Sequence, residues 1–349
     1  MADPEKYYDH TALNLYFKDT KDCSIDSVWV KNHPKNTATA PLDYVYQVQL
    51  DLIALGYLED QADNKDGYYG RATDWAVKRF QRRAATLIRK NKDTNALEMI
   101  NDSDKYTGPE DGVLTTDCAK EIRKWITKKW VAPLGVYKIE KLSTSGKLRS
   151  DAAEAWEEII KLVNADGGTL AGPYGDTLRN LAKTSKAGTS SYSFHYCGRA
   201  VDLQQALANP RGRRYYIQKD LSGSDMYWIL YCITDKQDGT QGTLYKKGTL
   251  TYYDPGDEKE RKLPKDTYLI NLTDLIQSTK KFVRIHAQNK WDTHPNKQTR
   301  SNKLEWWHFQ YNVDIQKTFF DELELIGTTK KQLMDAGWKT LTELDHKPG

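Results

Sequence analysis

From Pro41 onward the apolar positions fall into a helical rhythm. Val45, Val48, Leu52 and Leu55 recur at three- and four-residue spacing, and Gly56 stands where such a helix ends. A polar loop leads to Asp66-Gly67-Tyr68-Tyr69-Gly70, where Gly67 and Gly70 are the turn formers. Ala72, Ala76, Val77 and Phe80 then begin a second amphipathic helix. The charged stretch Arg82–Lys105 either lengthens that helix or inserts a loop. Asp111-Gly112 repeats the turn signal, and Ala119, Ile122 and Ile126 carry a third apolar stripe. The pattern predicts a three-helix domain over residues 41–132, preceded by an irregular arm over 1–40 in which Leu13, Leu15 and Phe17 alternate.

Further along, Pro133 and Gly135 interrupt helix, so Trp130–Gly135 reads as a linker. A helix is predicted over 150–164. Asp151 is placed as its N-cap and Glu154 at N3, with Ala152, Trp156, Ile159, Ile160 and Val163 as its buried stripe. Strand-like runs follow at Tyr227–Ile233, Thr249–Tyr253, Tyr268–Ile270 and Phe282–Ile285, with turns at Asp238-Gly239 and Asp254-Pro255-Gly256. Ile315, Phe319 and Leu323 suggest a closing helix that packs behind His308. The expected fold class is α+β: a small helical domain, then an α+β domain over 133–349 built on a mostly antiparallel sheet.

Composition narrows the function. The 349 residues suffice for two domains, and 38% hydrophobic with 11% aromatic residues suffices for two ordinary cores. A net charge of +4 does not mark a nucleic-acid binder, yet it suits an anionic wall polymer. No apolar run approaches the roughly 18–20 residues that span a bilayer. Met1–His10 lacks the basic and apolar regions of a signal peptide, so action in the periplasm or cell wall would require another export apparatus or holin-dependent release. Cys23, Cys118, Cys197 and Cys232 are scattered without C-x-x-C spacing, which argues against a cysteine zinc site.

The candidate chemistry is concentrated in two short stretches. His195 precedes Asp202 by seven positions, with Gly198 permitting a tight turn between them. An imidazole and a carboxylate delivered together suit Zn²⁺, which takes N and O ligands at roughly 2.0–2.2 Å. A catalytic site needs a third protein ligand and an open position. His308 is the candidate, with Glu305 as the base beside it. His286 and His294 compete on composition alone, and Cys197 lies inside the first stretch.

Together the two stretches resemble a known family. Ser193, His195, Gly198, Ala200 and Asp202 meet S-x-H-x-x-G-x-A-x-D, and Glu305, Trp307 and His308 meet E-x-W-H. This is similar to the zinc D-Ala-D-Ala peptidases, which include vancomycin-resistance D,D-dipeptidases, carboxypeptidases and the L-Ala-D-Glu endopeptidases of phage lysins. The resemblance covers roughly residues 140–345. It implies zinc on His195, Asp202 and His308, Glu305 as general base, and an arginine that meets the substrate or the developing oxyanion. Arg179, in a loosely matching Gly-x-x-Leu-Arg setting, takes that place; the other reading is a surface arginine at a helix start. Trp306 and Trp307 fit core and cleft wall, and Tyr192 and Ser193 fit pocket shaping or a ligand hydrogen bond.

A second resemblance lies upstream. Leu55-Gly56-Tyr57, Asp66-Gly67, Gly70, Thr73, Ala76-Val77 and Phe80-Gln81 resemble the three-helix peptidoglycan-binding domain found beside many wall hydrolases. The charged segment before Asp111 departs from that pattern, and a generic three-helix bundle without ligand is the competing reading. The implied function is a modular peptidoglycan hydrolase, an endopeptidase on stem or cross-link peptides, in a phage lysin or a secreted antibacterial effector. The alternatives are a D-Ala-D-Ala carboxypeptidase, a non-catalytic zinc-containing wall-binding protein, or a glycan hydrolase with paired carboxylates.

Overall fold

The computed structural model describes residues 40–67, 69–170, 172–182, 192–223, 226–287, 304–338 and 344–348. The arm over 1–39, Cys23 and His294 lie outside the described residues. The chain divides into two compact units, Met1–Val136 and Tyr137–Gly349.

Three helices build the first unit: α1 (Ala40–Ala54), α2 (Arg71–Ala84) and α3 (Thr116–Thr127). Their apolar stripes meet in one core, where Tyr57, Phe80 and Trp125 pack edge to face. Each such aromatic contact adds about 0.5–1.5 kcal/mol beyond the area buried. Both Asp-Gly turns are held the same way. Gln49 of α1 accepts the backbone N–H groups of Asp66 and Gly67, and Gln81 of α2 accepts that of Gly112 while donating to the Val113 carbonyl. A buried amide that reads turn backbone twice makes the unit a doubled helix–turn device.

The segment Arg82–Lys105 neither lengthens α2 nor loops out. It forms a hairpin of β1 (Ile88–Asn91) and β2 (Leu97–Met99), and β1 also pairs antiparallel with β3 (Trp130–Val131). Trp130 is therefore a buried strand residue and not linker, its indole N–H donating to Glu98. The hairpin was hidden because a single residue of its two strands is buried, and that residue is a charged one, Arg89. Its guanidinium lies 4.6 Å from the Trp125 ring centre and donates to the carbonyls of Arg83, Ala84, Thr86 and Ile88. Two of those carbonyls belong to the last turn of α2, which has no helical partners to offer them and where positive charge is favoured.

The second unit opens with the hairpin β4 (Ile139–Lys141) and β5 (Lys147–Arg149), which leads into α4 (Ser150–Ala165). Asp151 is not the N-cap; Arg149 occupies that position. Its guanidinium holds the Asp151 carboxylate with two bonds of 2.7 Å. The predicted stripe is buried, with Trp156 at its centre against Phe282 and Tyr174.

After β6 (Ala200–Asp202) come β7 (Tyr215–Asp220), β8 (Tyr227–Ile233), β9 (Thr243–Tyr245), β10 (Thr251–Asp254), β11 (Lys259–Lys262) and β12 (Thr267–Asn271). β7 to β12 form one antiparallel sheet in the order β11-β10-β7-β8-β12-β9. Strand alternation sends Tyr215, Ile217, Trp228, Leu230 and Cys232 into the core that contains α4, and Tyr216, Tyr231 and Tyr252 into a second cluster.

A short helix α5 (Leu272–Ser278) follows, then β13 (Phe282–Arg284) and β14 (His308–Tyr311), which join β6 in the order β13-β14-β6. The chain closes with α6 (Phe319–Glu324) and α7 (Lys330–Asp335). Ile315 lies outside α6, and Phe319 packs on Tyr192 and Tyr196, on either side of His195 in the sequence. Mixed helix and antiparallel sheet is thus the architecture, compatible with the α+β class.

Arg89→Met should weaken the first unit by about 2–3 kcal/mol, the scale of charged hydrogen bonds left unmade in a buried site. The expected result is faster amide hydrogen exchange over α2 and α3 in the full chain; unchanged protection would show that the cap is dispensable.

Candidate metal centre

Three segments converge on one point. Phe194–Cys197 form a single 3-10 turn, whose entry is capped by Ser193 accepting the His195 N–H. Gly198 ends the turn at φ 65, in the left-handed region. A Cβ there would lie 2.8 Å from the Arg149 nitrogen, so glycine is required by space as well as conformation. The chain re-emerges as β6, which pairs antiparallel with β14 so that Asp202 lies directly opposite His308. Side chains of such a pair share a face. The neighbouring pair, Val201 and Phe309, is fully buried in the core.

The result is a group of His195, Asp202 and His308 whose ligand atoms all lie within 4.8 Å of one another. His195 Nε2 is 3.2 Å, and His308 Nδ1 2.8 Å, from the same atom, Asp202 Oδ1. Burial opposes charge on Asp202, but hydrogen bonds from both imidazoles outweigh it and hold the carboxyl well below the usual range.

The tautomer of His195 is set by its other nitrogen. Nδ1 lies 3.1 Å from the Thr177 carbonyl, which can only accept, so Nδ1 carries the proton. In the neutral ring Nε2 then presents a lone pair to a carboxylate. That confrontation is favourable only with a proton or a cation between the two groups. The ring's raised pKa, in which Asp202 outweighs burial, reflects the proton solution; a metal is the other. The donor set, two imidazoles and a carboxylate with a carbonyl behind one ring, fits a divalent transition ion.

Glu305 sits at a turn that leads into His308. Its φ is 52, and its carbonyl accepts the His308 N–H at 3.2 Å across Trp306 and Trp307. Burial, and then the Asp202 charge, push its carboxyl up to about 7, while His195 opposes. Trp306 and Trp307 are buried in the core.

Arg179 sits in neither a strand nor a helix. Its backbone N–H donates to the His195 carbonyl at 2.9 Å, and its Nε and Nη2 hold Asp176 Oδ2 at 3.0 and 2.6 Å. Its Nη1 is buried with no hydrogen-bond partner among the described residues. Asp176, in turn, accepts the Asp202 N–H on its backbone carbonyl. Asp176 and Thr177 were not singled out from the sequence; only the three-residue offset of Asp176 from Arg179 signalled the first, and a carbonyl ligand carries no signal.

Of the competing residues, the described ones, Cys197 and His286, are not part of the group. Cys197 is fully buried beside Arg149, Arg199 and Glu322, and burial pushes its thiol far up. His286 lies against its neighbour's carbonyl and the Tyr227 ring. Tyr192 stacks on His346, and Ser193 serves as the cap.

Residues 42–85 match the family model described as a putative peptidoglycan binding domain. The match spans α1, the first Asp-Gly turn and α2, and ends just before the inserted hairpin. No curated protein and no solved structure matches the chain. The N-terminal unit thus carries a peptidoglycan-binding domain, which supports peptidoglycan as partner and a place at the cell wall. Among the described residues no helix is long and apolar enough to cross a membrane.

Gly198→Ala should destabilise the chain by about 1–3 kcal/mol through the left-handed backbone and the Arg149 contact. It should also weaken binding of a divalent metal, read by competition with a chromophoric chelator. An unchanged melting temperature and affinity would show that the turn tolerates a side chain.

Proposed function

We propose that the chain is a zinc-dependent peptidoglycan peptidase, an endopeptidase cutting stem or cross-link peptides. The observation that carries this reading is the convergence of His195, Asp202 and His308 beside a half-buried Glu305, in a chain that also bears a peptidoglycan-binding domain. The motif resemblance to zinc D-Ala-D-Ala peptidases supports it independently.

A zinc ion on these three ligands would supply Lewis acidity toward a water and a peptide carbonyl. The protein's own groups do the rest. Thr177 keeps the proton of His195 on Nδ1, so that Nε2 keeps a lone pair for a metal. Glu305, held near neutrality by burial, takes a proton from the attacking water and passes it to the departing amine. Arg179, whose Nη1 has no hydrogen-bond partner among the described residues, would offer a positive donor to oxygen charge developing on the substrate, with Asp176 fixing its orientation.

Endopeptidase action is favoured because a wall-binding module raises the local concentration of polymer substrate, an advantage that soluble dipeptides would not share. A lysin or a secreted antibacterial effector is the setting that suits such an enzyme.

Glu305→Gln should lower turnover on purified cell walls by ~10²–10⁴-fold while leaving zinc affinity within a few-fold. Chelator should abolish activity and zinc restore it, and mass spectrometry of the digest should show cleaved stems or cross-links. Release of free D-Ala alone would make the chain a carboxypeptidase. Lysis indifferent to chelator would point to a carboxylate glycan hydrolase, and no lysis by a zinc-loaded parent would leave a wall-binding protein.

A further inference from the structure

Between the two metal-ligand candidates of the first motif sits Arg199, whose side chain goes elsewhere. It is fully buried and meets Glu322 of α6, Nη1 to Oε1 at 2.6 Å. Its Nη2 donates to the carbonyls of Tyr311, at 3.1 Å, and Val313, just beyond β14. The other carboxylate oxygen of Glu322 accepts from Arg149 Nη1 at 2.8 Å. The backbone closes the loop: the Arg149 N–H donates to the Gly198 carbonyl at 2.9 Å, and the Tyr311 N–H to that of Arg199 at 2.7 Å. One carboxylate with no exposure therefore ties together the turn after His195, the strand that ends in Asp202 and the strand that begins with His308.

We propose that Glu322 is a positioning residue for the His195–Asp202–His308 group, acting through Arg199 and Arg149. An apolar trio of the same volume could stabilise the fold as well, since desolvating two guanidinium groups and a carboxylate offsets their attraction. What the ionic version adds is direction. Forked donors fix angles and offsets that aliphatic side chains leave loose. Glu322 thus holds the Gly198 turn and the β6–β14 register against each other, and so sets the spacing of ligand atoms it does not touch. The inference rests on the metal reading of that group.

The test compares Glu322→Gln with Asp151→Asn in the full chain. Asp151→Asn removes the other partner of Arg149 without touching Arg199. Zinc affinity, the visible spectrum of the cobalt-substituted protein, and the imidazole NMR resonances of His195 and His308 in metal-free protein are the readouts. Glu322→Gln should weaken zinc binding by roughly tenfold or more, the range for outer-shell partners. It should also shift the cobalt bands and move the imidazole resonances. Asp151→Asn should lower the melting temperature and leave all three unchanged. If Glu322→Gln does not fold, Arg199→Lys takes its place, keeping the charge but losing the fork to Tyr311 and Val313. The proposal is overturned if the variant that folds keeps the parent's affinity, spectrum and resonances, or if Asp151→Asn changes them equally. A parent that takes up no zinc overturns the metal reading instead, and the metal-free resonances then decide the positioning claim alone.

Discussion

The second unit depends on the register of two short strands. β6 and β14 pair so that Asp202 faces His308 while Val201 faces Phe309. Because side chains alternate with a period of two, a slip of β6 by one residue would send the Asp202 carboxylate into the core and expose the fully buried Val201. The hydrophobic cost of that slip and the loss of the polar pair act in the same direction. A three-residue strand is too short to specify register through its own ladder, so burial of Val201 and Phe309 adds to it. The core thereby dictates the geometry of the site, and Asp202 and His308 come together across 106 positions of sequence.

His195 is positioned by a different logic. It lies in a one-turn helix whose length is fixed at both ends, by the Ser193 cap and by the left-handed Gly198. Its ring is then aimed by a backbone carbonyl, that of Thr177, supplied by a loop that also pairs with Asp202 through Asp176. Two of the candidate ligands owe their place to a sheet and one to a turn, and the 175–179 loop braces both. Such an arrangement leaves an acceptor facing an acceptor in the absence of a proton or cation, a cost that an ion bound there would remove.

Much of the fold was legible because its signals are local. Helical spacing from Val45 to Leu55, the two Asp-Gly turns and the run Tyr227–Ile233 each carry their own periodicity, and the corresponding elements lie where they were expected. The hairpin at Ile88–Met99 was not legible, since its strands are three and four residues long and only one of their residues is buried. The buried residue that explains it, Arg89, looks like surface in a sequence. Asp151 misled for a related reason: its offset from Glu154 suits a cap, but a neighbouring guanidinium took the carboxylate. Of the candidate site, His195, Asp202 and His308, which lie together, and Glu305 were singled out from motif spacing. Thr177 was not, because it contributes a backbone atom.

Glu305 shows how an awkward spacing is resolved. Three positions from His308, it would point to the opposite face of an extended strand, and a helix could not accommodate the pairing of His308 with Asp202. The chain instead turns at Glu305 in the left-handed region, a conformation that costs a side-chain-bearing residue about 1–2 kcal/mol. Trp306 and Trp307, both buried, pin the turn from within the core and outweigh that cost. The Trp307 carbonyl then accepts the Leu203 N–H at 2.8 Å, which locks the turn to the end of β6. The carboxylate is thus carried to the triad by backbone held in place from both sides, and the two tryptophans act as its anchor.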